Sequence, residues 1–322
     1  MFDNRPARRA VTACGMGLLA LSASVLATSP AAAHGIAGNR FFPATLATDD
    51  PAVADELSLP TISWMKSGDD PAADQTDVSG EYSKRLTRTL GVSFGGAWTR
   101  LNTPGAGHAS GFQNLETTLK WQALTNAEHE AIVSFGVSGE WGGTGSDRVG
   151  AEEIGTVTPT LYFGKGAGDL PESLDWARPL AVTGVVGYAI PTRSHELVAD
   201  PDCDACAPIR QATTRSLTYG LTLQYSLRYL SAHVKDYGLP TFVNQLTPLV
   251  EFAATTPVAN GHGERTTGTV NPGVIWSGRH MQLGLEAQVP INRDSGKTVG
   301  VLFQVHWFLD DLFPHSLGKP IW

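Results

Sequence analysis

This chain has few cysteines, few charged residues and no long apolar run after its first segment. Three of its 322 residues are cysteine, so disulfide bonds do not form the framework of the fold. No run of about 18 apolar residues follows residue 33, which excludes a transmembrane helix there. Charged residues make up 17% of the chain, below the roughly 25% of typical soluble domains. Glycine is abundant instead, with 35 residues, and this balance favours a β-barrel.

Motifs that carry catalysis are also scarce. The chain has no phosphate-binding loop and no His-Glu-x-x-His pair. The formal net charge of −8 argues against nucleic acid as a partner. We therefore expect no enzyme activity, no cofactor and no metal site. His306 stays a candidate general base for one alternative, a membrane-embedded hydrolase.

The first 33 residues have the three parts of a signal peptide. Arg5, Arg8 and Arg9 form a positive region, Met16–Leu26 is apolar, and Ala31–Ala33 offers a small-residue cleavage site. We predict that residues 1–33 are cleaved after export. Residues 34–57 show no periodicity and form an irregular N-terminal segment, periplasmic or plug-like. A barrel is then predicted over 58–309 and a periplasmic extension over 310–322.

The stretch Leu217–Tyr229 alternates large apolar with small or polar residues for thirteen positions. Strands in soluble sheets run about 5–6 residues, whereas transmembrane strands run about 9–11 with aromatic residues at each interface. Similar runs recur from residue 58 onward and are twelve in number, an even count as bacterial barrels require. They are Leu59–Lys66, Val78–Arg88, Thr89–Leu101, Gly111–Leu124, Glu130–Trp141, Ile154–Gly164, Pro179–Pro191, Arg215–Leu230, Gln245–Thr256, Thr267–Ser277, Arg279–Ile291 and Thr298–Leu309.

The connections between these runs alternate in length, with most short turns on one side and longer loops on the other. Two long connections on the short side contain the helix-like pieces Leu170–Trp176 and Ser231–Tyr237. The predicted fold is therefore all-β: an antiparallel, up-and-down transmembrane barrel of about 12 strands with short periplasmic helices. An exported soluble β-protein is the alternative.

Polar residues that alternate with apolar ones are predicted to face the lumen, because a lysine or arginine at the lipid midplane costs roughly 2–4 kcal/mol. Two interpretations stay open: a polar conduit whose charges set selectivity, or a hydrogen-bonded plug that passes nothing. The lumen candidates are Glu116, Lys120, Glu140, Gln224, Arg228, Glu251, Glu286, Gln304 and His306.

Two cysteines remain beyond the signal peptide, Cys203 and Cys206, both in the longest outer loop. A small disulfide loop is the expected state in an exported protein. The alternatives are weaker, because a metal site needs further ligands and redox catalysis needs a thioredoxin-like context.

Five segments spread over the chain carry a resemblance to known proteins: Gly38–Leu46 (GNRFFPATL), Gly111–Lys120 (GFQNLETTLK), Pro159–Gly166 (PTLYFGKG), Val270–Trp276 (VNPGVIW) and Phe308–Pro314 (FLDDLFP). They resemble bacterial exported proteins near the outer-membrane family named for the meta-pathway of phenol degradation. The resemblance implies an outer-membrane barrel that helps small organic compounds, hydrophobic or aromatic, across the membrane. It implies no catalytic residues.

The sequence thus predicts an outer-membrane channel or transporter for small molecules, with a plugged structural or sensor barrel as the alternative. Its expected partners are the lipid bilayer, a small-molecule solute and, during biogenesis, the barrel-assembly machinery.

Overall fold

The computed structural model describes residues 35–198, 207–261 and 263–322. Twelve antiparallel strands each pair with the next, and β1 also pairs with β12, which closes the barrel. The predicted fold class is therefore confirmed. The strands are β1 Glu56–Lys66, β2 Asp74–Arg85, β3 Leu90–Thr103, β4 Leu115–Asn126, β5 Ala131–Trp141, β6 Thr156–Gly166, β7 Leu180–Pro191, β8 Arg215–Tyr225, β9 Leu246–Ala259, β10 Thr267–Ser277, β11 Met281–Pro290 and β12 Gly300–Phe308.

The barrel has two different ends, which we name the turn end and the loop end. At the turn end lie residues 35 and 322, the short connections 86–89, 127–130 and 278–280, and the longer connections 167–179 and 226–245. The loop end carries the connections 67–73, 104–114, 142–155, 192–214, 260–266 and 291–299. The part of 192–214 that is described contains a small hairpin of His195–Val198 and Ile209–Ala212. Short helices at the turn end span Glu172–Ala177, Leu227–Tyr229, Leu230–Val234 and Thr241–Asn244.

Strand β8 shows the alternation on which the prediction was based, and it also shows where the alternation stops predicting a strand. Leu221 and Leu223 are exposed on the outer face, whereas Thr222 and Gln224 are buried on the inner face. The strand ends at Tyr225, because the Ser226 side chain accepts a hydrogen bond from Tyr229 N (3.1 Å) and starts a helix. The predicted run Arg215–Leu230 is therefore too long.

The predicted lumen position of Arg228 is wrong for the same reason. Arg228 lies in the short helix beyond the end of β8, where its side chain is exposed. Its neighbour Tyr229, which the alternation places on the lipid face, is instead buried over the mouth of the barrel. In a helix the side-chain period is about 3.6 residues rather than two, so alternation no longer assigns a face.

The predicted run Gly111–Leu124 is also divided in two. The strand Gly107–Phe112 pairs with the loop-end half of β3, and β4 pairs with its turn-end half. At the break, Gln113 Nε2 donates to Val149 O (3.1 Å) and Asn114 Nδ2 donates to Glu152 O (2.8 Å). These amides join the barrel wall to connection 142–155.

The outer face is apolar and carries aromatic residues near each end of the barrel. Leu119, Val137 and Leu285 are exposed on this face, between the two aromatic rows. Near the turn end these aromatics are Tyr82, Trp121, Phe135, Tyr225, Trp276 and Trp307, and near the loop end they are Trp64, Trp98, Trp141 and Tyr188. No helix among the described residues is long and apolar enough to cross a membrane.

Residues 35–55 lie inside the barrel at its turn end, and we call them the plug. The plug begins with a small hairpin, Ile36–Ala37 paired with Arg40–Phe41. Ala37 and Phe42 pack with Ile132 and Ala181 of the wall in a buried cluster. β1 begins at Glu56, two residues before the predicted start of the barrel.

The chain after β12 folds back over the turn end. A short helix, Leu309–Leu312, follows the last strand directly. Ile321 N then donates to Arg85 O (3.2 Å) and Trp322 N donates to Leu86 O (3.0 Å). The C-terminal residues thus cover the turn between β2 and β3.

Candidate functional site

Arg40 fastens the start of the plug to the turn end. Its side chain is 1% exposed, and Nε forms an ion pair with Glu130 Oε2 at 3.1 Å. The other two nitrogens donate to the carbonyls of Arg178 (2.5 Å) and Pro179 (2.9 Å), and the guanidinium lies 3.9 Å from the centre of the Tyr229 ring. Burial lowers the pKa of Arg40, and the charge of Glu130 opposes that shift.

Glu251, on the inner face of β9, holds the middle of the plug. Its carboxylate is fully buried and accepts hydrogen bonds from Leu46 N (2.7 Å), Ala47 N (3.2 Å) and Thr48 N (2.8 Å). Thr48 Oγ1 donates a fourth bond at 2.7 Å and also bonds Thr222 Oγ1 at 2.9 Å. A buried carboxylate with this many donors is well compensated for the loss of water.

Glycines in the wall make room for this part of the plug. A Cβ at Gly220 on β8 would overlap Thr48, and a Cβ at Gly284 on β11 would overlap the end of Leu46. The plug therefore approaches the backbone of β8 and β11 more closely than a side chain at either position would allow.

From there the plug crosses the lumen to β4. Lys120 Nζ forms an ion pair with Asp49 Oδ2 (2.7 Å) and donates to Asp50 O (3.0 Å). Val53 N then donates to Gln122 Oε1 at 2.9 Å. The pKa of Asp50 is raised to about 7, mainly by burial; Lys120 lowers it, and the nearby carboxylates of Glu56 and Asp49 raise it.

Asp55 is the last residue of the plug, and its side chain attaches the plug to β2. Its carboxylate is fully buried, with Lys84 Nζ at 2.7 Å and Arg85 Nε at 2.6 Å. Asp55 O also accepts a bond from Leu309 N (3.0 Å), the first residue after β12. The plug is thus tied to several parts of the wall before the chain enters β1.

Beside the plug lies a cavity of about 620 Å³, bounded by the plug and by the inner faces of β1–β5 and β12. On β3 its lining extends from Gly91 to Ala97, a length of about 20 Å at ~3.4 Å per residue. This span is seven of the fourteen residues of β3, so the cavity extends along about half of the length of that strand. More than half of its lining residues are serine, threonine, glycine, aspartate or glutamate.

Three of these carboxylates form a row across neighbouring strands. Glu81 on β2 pairs with Gly95 on β3, Gly95 with Glu116 on β4, and Glu116 with Glu140 on β5. Their known bonds are to neutral donors: Ser83 Oγ to Glu81 (3.2 Å) and Asn114 Nδ2 to Glu140 (2.8 Å). Within the described part of the chain, no lysine or arginine forms an ion pair with the row. We call these three residues the acidic row.

The other residues predicted to face the lumen lie in two places, some around the cavity and some on the opposite wall. Glu116, Lys120, Glu140, Gln304 and His306 line the cavity. Gln224, Glu251 and Glu286 are buried on the inner side of β8, β9 and β11. Cys203 and Cys206 lie outside the described residues, so the predicted disulfide stays a prediction. Among the residues that are described, no group of three or more histidine, cysteine or carboxylate side chains is placed to hold a metal ion.

Sequence reasoning missed several residues of this site. Glu81 alternates with Tyr82 and could have been found by the same pattern. Asp49, Asp50 and Thr48 could not be found in this way, because the plug is irregular and has no period. Their roles depend on which part of the wall the plug meets.

Comparison with known proteins finds no protein-family model and no curated protein that matches this chain. Similar solved structures include the KdgM porin (13% identity, 77% of this chain and 98% of that chain, TM-score 0.42) and the NanC porin (8%, 77% and 98%, 0.45). An outer-membrane channel from Pseudomonas putida F1 is also similar (14%, 83% and 99%, 0.47). These are outer-membrane porins and channels, and the resemblance to the phenol meta-pathway family stays a prediction. The twelve-stranded barrel itself is established by the pairing of its own strands.

Proposed function

We propose that this chain is an outer-membrane channel for small cationic solutes, exported by means of the predicted signal peptide. Support for the membrane location comes from the apolar outer face, with aromatic residues near both ends, which is the pattern of transmembrane barrels. Short turns face the periplasm in such barrels, so we assign the turn end, with the plug and residue 322, to that side. The bilayer is then the partner of the outer face.

The cavity beside the plug is the observation that supports conduction. It extends along about half of the length of β3, and the acidic row lies on its surface. Like charges on directly opposed residues, such as Glu116 and Glu140, destabilise a sheet. A passing cation would relieve that repulsion, and rings of carboxylates select cations in known channels.

The lining favours charged solutes over the hydrophobic or aromatic compounds that the family resemblance implies. Serine, threonine and glutamate side chains offer hydrogen bonds and charge, and few large apolar side chains face the space. An apolar solute would have to remove water from these groups without replacing their hydrogen bonds.

Ion selectivity in planar bilayers tests the proposal. With a KCl gradient across the bilayer, the reversal potential should show that K⁺ passes more readily than Cl⁻. The double variant Glu116→Gln/Glu140→Gln should reduce this preference severalfold, because it removes two of the three charges of the acidic row. Glu128→Gln is the matched control, since Glu128 is exposed on a turn-end connection. Equal selectivity in all three proteins would contradict the role of the row.

The firm attachment of the plug supports a second candidate, a plugged structural or sensor barrel. Arg40, Glu251 and Asp55 each hold the plug through several bonds to buried atoms. A protein that folds, as judged by heat-modifiable gel mobility, yet gives no conductance steps would support this candidate over the channel.

A further inference from the structure

Three side chains at the junction of the first and last strands form a connected set that faces the cavity. Ser58 Oγ lies 2.8 Å from His306 Nδ1, and His306 Nε2 lies 3.3 Å from Glu56 Oε2. Ser58 and Glu56 belong to β1 and His306 to β12, so the set exists only because the barrel closes. All three line the cavity beside the plug.

A β-bulge in β1 creates this arrangement. Between Ser58 and Thr61 the register of β1 shifts against both neighbouring strands, so that His306 pairs with Ser58. Without the shift, the register of Gln304 and Thr61 would place Leu59 opposite His306. Leu59 is exposed on the outer face instead, and Ser58 faces inward. Bulges are frequent beside active sites because they redirect a side chain in this way.

His306 is held in one position by its surroundings. The residue is 3% exposed, and its ring packs edge-on against Phe308 with 5.5 Å between ring centres. Both ring nitrogens face polar atoms, the hydroxyl on one side and the carboxylate on the other. A serine next to a histidine that a carboxylate orients is the arrangement of an activated nucleophile.

We propose that Ser58 and His306 are catalytic residues that hydrolyse small carboxylic esters in the cavity, with Glu56 as a positioning residue. Ser58 Oγ attacks the ester carbonyl while its proton passes to His306 Nδ1, and the carboxylate of Glu56 balances the resulting imidazolium. The ester C–O bond breaks, the alcohol leaves with the proton from His306, and an acyl-Ser58 remains. A water molecule then attacks the acyl group, His306 accepts its proton and returns it to Ser58, and the carboxylic acid leaves. No oxidant, metal or further reactant is needed.

The acidic row lies in the same cavity and favours esters that carry a positive charge. This part of the inference depends on the proposed cation preference, whereas the nucleophile does not. Acetylthiocholine, a cationic thioester, and p-nitrophenyl acetate, a neutral ester of similar size, therefore serve as paired probes. The cationic probe should give the lower KM, and Glu116→Gln should raise only that value.

Covalent labelling is the decisive test. Folded wild-type protein in detergent, treated with a fluorophosphonate, should carry the label on Ser58, as peptide mass spectrometry would show. Ser58→Ala and His306→Gln should each lose the label and lower the rate of ester hydrolysis by at least about a hundredfold. Ser93 is the internal control, because it lines the same cavity within the sequence Gly-Val-Ser-Phe-Gly but has no histidine bonded to it among the described residues.

The role of Glu56 needs its own measurement. Glu56→Gln should lower kcat by about 10–100-fold with KM nearly unchanged, since the carboxylate acts on the imidazolium rather than on the substrate. Glu56→Asp should restore part of the rate, which a purely structural loss would not allow. Heat-modifiable mobility shows whether each variant has folded.

An unlabelled Ser58 in a folded, conducting barrel would overturn the esterase and leave the channel intact. A labelled Ser58 in a folded barrel without conductance would overturn the channel and support the esterase. Equal labelling of Ser58 and Ser93 would also overturn the proposal, because it would show that His306 does not activate its neighbour.

Discussion

The plug packs directly against one side of the lumen, whereas a cavity separates it from much of the other side. On the side of β8–β11, Gly220 and Gly284 let the plug lie against the backbone, and Glu251 binds three successive amide groups. On the side of β1–β5 and β12, a cavity of about 620 Å³ separates the plug from much of the wall. We call these the closed side and the open side.

The difference shows how a barrel can hold a plug and still keep a polar space. On the closed side, glycines without side chains and the buried carboxylate of Glu251 replace water with protein contacts. On the open side, the acidic row has charges that the plug does not neutralise, and charged groups that lack such partners retain water. The attachment of the plug and the polarity of the conduit can therefore change independently.

Removal of the Glu251 carboxylate is expected to have the largest effect on this contrast. Glu251→Ala leaves three amide groups and one hydroxyl without their acceptor, and hydrogen bonds to a charged group contribute about 1.5–3 kcal/mol each. The docked plug should lose about 3 kcal/mol or more. Hydrogen exchange at the amides of residues 46–48 should become more than a hundredfold faster, and the conductance should increase.

The control for this experiment is Glu128→Ala, which removes a carboxylate from an exposed turn-end position. It should change neither exchange nor conductance. If slow exchange at residues 46–48 survives in Glu251→Ala, the closed side does not depend on this carboxylate.

A smaller effect on plug docking is expected when a glycine is changed to alanine on the closed side, with the same change on the open side as the comparison. Gly284→Ala places a Cβ against Leu46, and such overpacking costs typically about 1–3 kcal/mol. Gly95→Ala on the open side meets no atom closer than 3.8 Å. Both changes replace glycine by alanine within a strand, so their difference isolates the contact with the plug. The hydrogen exchange of Leu46 N measures it, and equal rates in the two variants would contradict the contrast between the sides.

A change of one pH unit is expected to have the smallest effect. The pKa of Asp50 is about 7 in the docked plug, above the usual ~4 of a free aspartate, so the docked state binds this proton more tightly. Docking should therefore weaken as pH rises from about 4 to 7, by at most about tenfold per pH unit. Asp50→Asn should remove this dependence. Exchange at Leu46 N, corrected for the intrinsic effect of pH, checks it, and the same pH slope in Asp50→Asn would exclude Asp50 as the cause.

The positions of the strands followed from alternation, because each face of the wall has a different surrounding. The predicted strand bounds were wrong where the chain leaves the regular two-faced wall. Ser226 starts a helix after β8, so Arg228 is outside the lumen, and the amides of Gln113 and Asn114 interrupt the strand before β4.

The attachment points of the plug were not predictable, since they are bonds between an irregular segment and distant strands. Leu46 and Glu251 are separated by 205 residues, and the link uses the backbone N–H of Leu46, which every residue except proline possesses. Nothing in the residue types of 46–48 identifies a binding partner.

The sequence by itself determined the barrel, the even number of strands and most inward positions, because a two-residue period is sufficient to separate lipid from lumen. Only the tertiary structure decided that Ser58, His306 and Glu56 meet, because closure and a bulge join residues 248 positions apart. It also decided that the plug packs against one side of the lumen and leaves the larger of two cavities, about 620 Å³ against about 300 Å³, on the other side. Periodicity reports which medium a side chain faces, whereas contacts across the lumen depend on where the chain crosses it.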